Sequence, residues 1–383
     1  MTKPYKLFIP GPVSVDDDVL DAMGQPVMRH YGPEWMDVYN ETTALLKQVF
    51  QTRSDVFMVP GPGTAGLEMA IGSLLTTGQK VIVCHNGFFG ERLATVAESN
   101  GLNVVRVAAP SGLPIAPEDV RKALTEHPDA PAVVVVHHET TTTVMNPVRE
   151  IAAMTREAGR VVVVDAVSSL GGVDVPVDAW GLDVCVTAVN KCLECPPGLA
   201  LVSVGPRAWE MVNSHAATGR GWYLNLKTWR WYADNWGSWH PSPVTVPTNN
   251  IIALRTSLRK IVAVGLPEHF AKHARACRAV RAGLRNMGFP LFVTSEFASP
   301  LVTALKPRPE FSAHDLQTWL AQERGLYIGG GIGELSGQIL RIGHIGKAAS
   351  RGYVMDLLFA IEEFLRIKGI DVPVGASLIG LRD

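Results

Sequence analysis

The sequence predicts an α/β protein in which a large domain built on a mostly parallel sheet is followed by a smaller α+β domain. Three observations carry this expectation. Residues 132–136 (AVVVV) and 161–164 (VVVV) run without a polar interruption, as strands buried on both faces of a parallel sheet do. Stretches of helical period separate such strands, the best formed holding Leu67, Ala70, Ile71 and Leu74 at i, i+3, i+4 and i+7. Beyond residue 248 the pattern changes to long helical stretches interleaved with short strands. The expected division is an arm over residues 1–15, a large domain over 16–248 and a small domain over 249–383.

Composition narrows the function classes. Hydrophobic residues make up 47% and charged residues 19% of the chain, which suits a globular protein. A formal net charge of −1 offers no basic field, so neither nucleic acid nor an anionic membrane surface is an expected partner. No run reaches transmembrane length, the opening MTKPYKLFIP is too short and proline-broken for a signal peptide, and the final LRD is no SKL-type address. The 5 cysteines (Cys84, Cys185, Cys192, Cys195, Cys277) are odd in number and scattered, as reduced cytoplasmic thiols are. Cys192 and Cys195 form a C-x-x-C, but no second ligand pair accompanies them, so no metal is expected.

Taken in order, Pro10-Gly11-Pro12 keeps the opening residues extended. Helices are expected over 19–23 and 36–49, then a strand over 56–59. Gly61-Pro-Gly-Thr-Ala-Gly66 opens the next helix, and a helix start with free amides and a Thr hydroxyl makes Gly63 and Thr64 a natural phosphate cradle. The same residues satisfy G-x-G-x-x-G, which raises a nicotinamide-dependent dehydrogenase. That reading needs an acid closing the next strand, where 81–84 leads into His85-Asn86-Gly87 instead. Strands over 104–109 and 132–136, and helices from Gly87 and over 116–125, follow. His137 and His138 are neighbours on a strand, face opposite sides and cannot share one metal. Pro147 starts a helix, and strands over 184–189 and 199–204 precede another over 206–213.

The organising stretch is 161–198, VVVVDAVSSLGGVDVPVDAWGLDVCVTAVNKCLECPPG. It delivers Asp165 and Lys191 from the ends of two apolar runs, where open α/β sheets bind their ligands. Either residue alone would be an ordinary cap or a solvated amine. Together, with DAVSS, NKC and PPG at these spacings, they resemble the fold-type I, class V aminotransferases of the alanine/serine–glyoxylate group, which read D-[AS]-V-x-S-x-G-G, then Q-K or N-K, then P-P-G. The resemblance implies pyridoxal 5′-phosphate as cofactor. Lys191 would bond its aldehyde and shuttle protons, Asp165 would hold its ring nitrogen protonated, and Asn190 would lie beside it. It also puts Phe89 where the family stacks an aromatic, usually Trp, on the ring, and Thr140 where a hydroxyl meets the cofactor.

The resemblance implies a homodimer with shared active sites. The Pro10-Gly11-Pro12 arm would cross to the partner, and Thr245 of a T-x-P element would reach the partner's cofactor phosphate, although Ser242 stands where some members carry a helpful Tyr. Residues 222–239 hold Trp222, Trp229, Trp231, Trp236 and Trp239, which suits an interface, an active-site mouth or a local aromatic core. In the small domain, helices are expected over 251–264, 267–287 and 356–365, and strands over 300–305, 326–329 and 339–342. Arg341 in Arg341-Ile342-Gly343 would grip the α-carboxylate of an amino-acid substrate, the alternative being a structural salt bridge.

The expected reaction is transfer of an amino group from alanine or serine to glyoxylate or pyruvate. Pyridoxamine–pyruvate transaminases are similar in the NKCL and RIGH wording, but carry Glu in place of Pro62 and Arg in place of Ile332. Ureidoglycine–glyoxylate transaminases remain a third reading. Cysteine desulfurases need a mobile-loop cysteine, and Cys277 falls within a helical pattern.

Overall fold

The computed structural model describes residues 5–214 and 221–381. Residues 1–4 of the expected arm and 215–220 ahead of the tryptophan-rich stretch lie outside them. In chain order the first half comprises β1 (Lys6–Phe8), α1 (Asp17–Met23), α2 (Pro33–Phe50), β2 (Asp55–Pro60), α3 (Gly63–Leu74), β3 (Lys80–His85), α4 (Phe88–Ser99), β4 (Asn103–Ala108) and α5 (Pro117–Glu126). Then come β5 (Ala132–Val136), β6 (His138–Glu139), β7 (Val144–Met145), α6 (Val148–Glu157), β8 (Val161–Asp165), α7 (Val177–Trp180), β9 (Val184–Ala188), β10 (Leu199–Val204) and α8 (Pro206–Ser214). The remainder is α9 (Leu226–Asn235), α10 (Thr248–Val264), α11 (Leu266–Asn286), β11 (Val302–Leu305), α12 (Ala313–Trp319), β12 (Leu326–Gly330), β13 (Leu340–Gly343) and α13 (Arg351–Ile367).

The valine runs sit where a two-sided core demands them. Seven strands form the large sheet in the order β2-β10-β9-β8-β5-β3-β4, parallel except for β10, which runs against both neighbours. Because side chains alternate along a strand, Val133, Val135, Val162 and Val164 pack toward α2, α6 and α10, joining Leu46, Ile151 and Leu254. Val134, Val136, Val161 and Val163 pack toward α3, α4 and α9, joining Ile71, Leu93 and Trp229. Helix α3 lies unusually close. A Cβ added at Gly66 would meet Val186 at 2.8 Å and Val202 at 3.0 Å, so only glycine lets the helix settle on the strands.

Two observations bear on the expected domain division. Within the expected extended arm, Lys6–Phe8 is an edge strand that pairs parallel with β12 in the small sheet, ordered β1-β12-β13-β11. Phe8 is buried in the small core, which gives the strand its hold. Past the expected boundary at residue 249, α10 still packs against the large core. Ile251, Leu254, Leu258 and Ile261 of α10 belong to the large core, and α11 is the first helix of the small one. The tryptophans divide: Trp229 is fully buried against Phe57, whereas Trp222, Trp231 and Trp239 remain about half exposed at 54%, 50% and 44%.

Candidate active site

Three strand ends build the site. In the parallel register Val136 pairs with Asp165 and Asp165 with Val186, so the carboxyl ends of β5, β8 and β9 lie side by side. Asp165 closes β8, and Asn190-Lys191 follows β9. Between these ends and the start of α3 lies a cavity of about 220 Å³, lined by Gly63, Thr64, Phe89, Asp165, Asn190 and Lys191. Six of the residues singled out in the sequence thus share one space. A larger groove of about 870 Å³ lies at the other ends of the strands, but its Arg207 and Arg230 pair with Asp183 and Asp55, so those charges are already matched.

Burial governs the electrostatics. The Asp165 carboxyl is pushed up to about 6, first by desolvation and further by Glu139, against the Val167 amide that donates to it at 2.9 Å. The Lys191 amine is brought down to about 8, again chiefly by desolvation, with the Arg341 charge adding to the effect. It donates to the Pro10 carbonyl at 2.9 Å. With its pKa this close to physiological pH, the amine keeps a neutral fraction that can act as nucleophile and proton carrier. No side chain caps α3, so its first amides are open to an anion.

Arg341 and Thr140 stand beside the cavity. The guanidinium is 6% exposed and forms no salt bridge among the described residues; Nε donates to the Gly330 carbonyl at 2.7 Å and Nη1 to the Thr140 carbonyl at 2.9 Å. The alternative of a structural salt bridge is therefore not realised. Backbone oxygens orient the fork and leave its charge for an outside anion. Thr245 is exposed and does not line its own chain's cavity.

Sequence reasoning missed three polar lining residues, Arg92, His138 and Ser168. His138 was findable, because it continues the alternation of Val134 and Val136 onto the cavity side. It donates from Nδ1 to the Ser168 carbonyl at 3.0 Å, which leaves its Nε2 unprotonated, and burial lowers it to about 4. Arg92 lies over Phe88 and Phe89, 4.9 and 4.8 Å from the ring centres. One cluster of possible metal ligands occurs among the described residues, Glu194, His269 and His273. Two of its three positions are engaged: Lys272 meets Glu194 at 2.9 Å, and the Gly346 amide donates to His273 Nε2 at 3.3 Å, whereas His269 Nε2 is buried without a hydrogen-bond partner.

The model of the family described as Aminotransferase class-V matches residues 17–341. The chain is 37% identical over 359 residues to a protein named soluble hydrogenase, small subunit, of Synechococcus, covering 93% of this chain and 91% of that one. It is 32% identical over 392 residues to the L-aspartate–glyoxylate aminotransferase of Paracoccus denitrificans, covering 100% and 96%. Among solved structures, an alanine–glyoxylate aminotransferase from Nostoc superposes with a TM-score of 0.91 at 31% identity, covering 96% and 97% of the two chains.

Proposed function

The chain belongs to the class-V aminotransferases and is a pyridoxal 5′-phosphate-dependent transaminase, and from that premise we propose that it moves the amino group of alanine or serine to glyoxylate or pyruvate. The observation that carries the proposal is one cavity walled by a buried amine, a buried carboxyl and an uncapped helix start, with an unpaired arginine beside it. That donor set fits the cofactor: amides of Gly63 and Thr64 for its phosphate, Asp165 for its ring nitrogen and Lys191 for its aldehyde. Phe89 and Asn190 complete the wall.

When bound, the cofactor supplies a sink for the electron pair left at the substrate's α-carbon. Arg341 holds the substrate carboxylate and so turns its α-proton toward Lys191. The Lys191 amine would take that proton as base and, as ammonium, would give it back as acid. Asp165 keeps the ring nitrogen protonated through its negative charge. Release of a keto acid and entry of a second one give ping-pong kinetics.

Glyoxylate is the acceptor named for both aminotransferase relatives, which supports it here, while their donors differ. Pro62 and Ile332 stand where the pyridoxamine-using enzymes carry Glu and Arg, which favours a bound phosphate cofactor. Rates for alanine, serine and aspartate against glyoxylate and pyruvate would test the choice. Alanine or serine should lead, and preference for another donor class overturns it. Lys191→Ala should lose both turnover and the visible absorbance of the lysine-linked cofactor; retention of turnover would sink the mechanism.

The half-exposed Trp222, Trp231 and Trp239 support a homodimer, since so much indole rarely faces water. Thr245, exposed on its own chain, would then serve the partner's cofactor phosphate. No described helix is long and apolar enough to cross a membrane, and all 5 cysteines are free and buried, which supports a cytoplasmic setting.

A further inference from the structure

Helix α4 carries Phe89 into the cavity wall, yet its own N-cap, Gly87, supplies no side chain to its first amides. Those amides are held from another part of the chain. Glu139 Oε2 accepts from the Phe89 and Gly90 amides, both at 3.0 Å, and Thr141 Oγ1 accepts from the Phe88 amide at 3.1 Å. The other carboxylate oxygen, Oε1, accepts from the Thr141 amide at 3.0 Å and from its hydroxyl at 2.5 Å. All four donors converge on a side chain that is 0% exposed. The backbone of α4 is pressed against this anchor: a Cβ at Gly87 would lie 2.6 Å from Glu139 Cδ and 2.5 Å from Thr141 Oγ1.

Such an anion at a helix start satisfies orphan amides and complements the helix dipole. Its placement here carries a cost, because the Glu139 charge raises the pKa of Asp165 and so works against ionisation of that carboxylate. A charge that opposes ionisation of Asp165, and still gives one oxygen to the helix start and the other to the Thr141 that caps the same helix, is there for geometry.

We propose that Glu139, with Thr141, is a positioning residue for the cofactor ring: it acts through α4 by fixing where the Phe89 ring stands. The same short segment offers the Thr140 carbonyl to Arg341 at 2.9 Å, so one turn of chain sets both the stacking face and the carboxylate anchor. The proposal rests on the reading of Phe89 as the residue that faces the cofactor.

The test is a double-mutant cycle read on cofactor affinity, with pyridoxal 5′-phosphate titrated into the cofactor-free protein and the dissociation constant taken from absorbance. Phe89→Ala should loosen binding about tenfold, the scale of an aromatic stack. Glu139→Gln places an amide donor against amide donors and should loosen it about fivefold, but less than about twofold in the Phe89→Ala background. Thr141→Val, a milder change that keeps the carboxylate, should show the same dependence on Phe89 and carries the test if Glu139→Gln does not fold. Equal loosening by both anchor variants with and without Phe89 overturns the positioning role while leaving the transaminase reading intact. No effect of Phe89→Ala removes the premise instead, and the two failures are thus distinct.

Discussion

Burial of the Lys191 amine lowers it to about 8, and the consequence is kinetic. Below that pH the group is ammonium and cannot attack an aldehyde; above it the lone pair is free. Capture of pyridoxal 5′-phosphate by the cofactor-free protein should accelerate through pH 8 and level off beyond it. Stopped-flow rates that stay flat between pH 7 and 9 would contradict this. Asp165 titrates the other way round. Its carboxyl is raised to about 6 in the fold against about 4 in an unfolded chain, so the folded state binds the extra proton in that window. Its stabilising share is complete below pH 4 and is lost as pH rises through 6. Relative to Asp165→Asn, the cofactor-free protein should lose about 2 kcal/mol between pH 4 and 6.5, seen as a falling urea midpoint. Both residues were legible from the apolar runs they follow only together with the DAVSS, NKC and PPG motifs that carry the family resemblance. Arg92 was not, because a lone arginine on a helix has no pattern; only the cavity reveals it.

At the scale of elements, α3 is the part least free to change. Gly66→Ala would drive a methyl into Val186 and Val202, lifting the helix whose first amides are proposed to hold the cofactor phosphate. It should destabilise the protein by about 1–3 kcal/mol and weaken cofactor binding together. A stability loss with unchanged affinity would mean that the helix start stays in place. Trp229→Ala, on the buried side of α9, should cost about 3–5 kcal/mol in urea unfolding without touching the site. The long periodic helices and the valine strands were readable because their patterns are local. Strand β1 was not: three residues between prolines hold a strand only because β12 and the small core wait for Phe8. Helix α10 read correctly as a helix, but period says nothing about which core receives its apolar stripe. Helix α12 left a trace that went unused, the Ser312–Asp315 capping box.

For the whole molecule, the aromatic patch is the feature a single chain leaves unfinished. Trp236 meets Tyr232 and Trp239 at ring distances of 4.9 and 5.1 Å, and the outer faces of Trp231 and Trp239 look to solvent. If a second copy covers it, Trp231→Ser with Trp239→Ser should shift the protein from dimer to monomer in light scattering and lower cofactor occupancy. A dimer of undiminished stability would place the interface elsewhere.

The route of the opening residues has its own consequence. They start in the small sheet opposite Leu326–Ile328, then run past the reactive amine, where Pro10 accepts from Lys191 and a side chain at Gly11 would strike it. On the ribosome, the loop bearing that amine emerges well before the strand that fastens the chain's beginning. A polypeptide grown only past Lys191 therefore has that amine but not the wall behind it, which is fastened once Leu326–Ile328 has emerged.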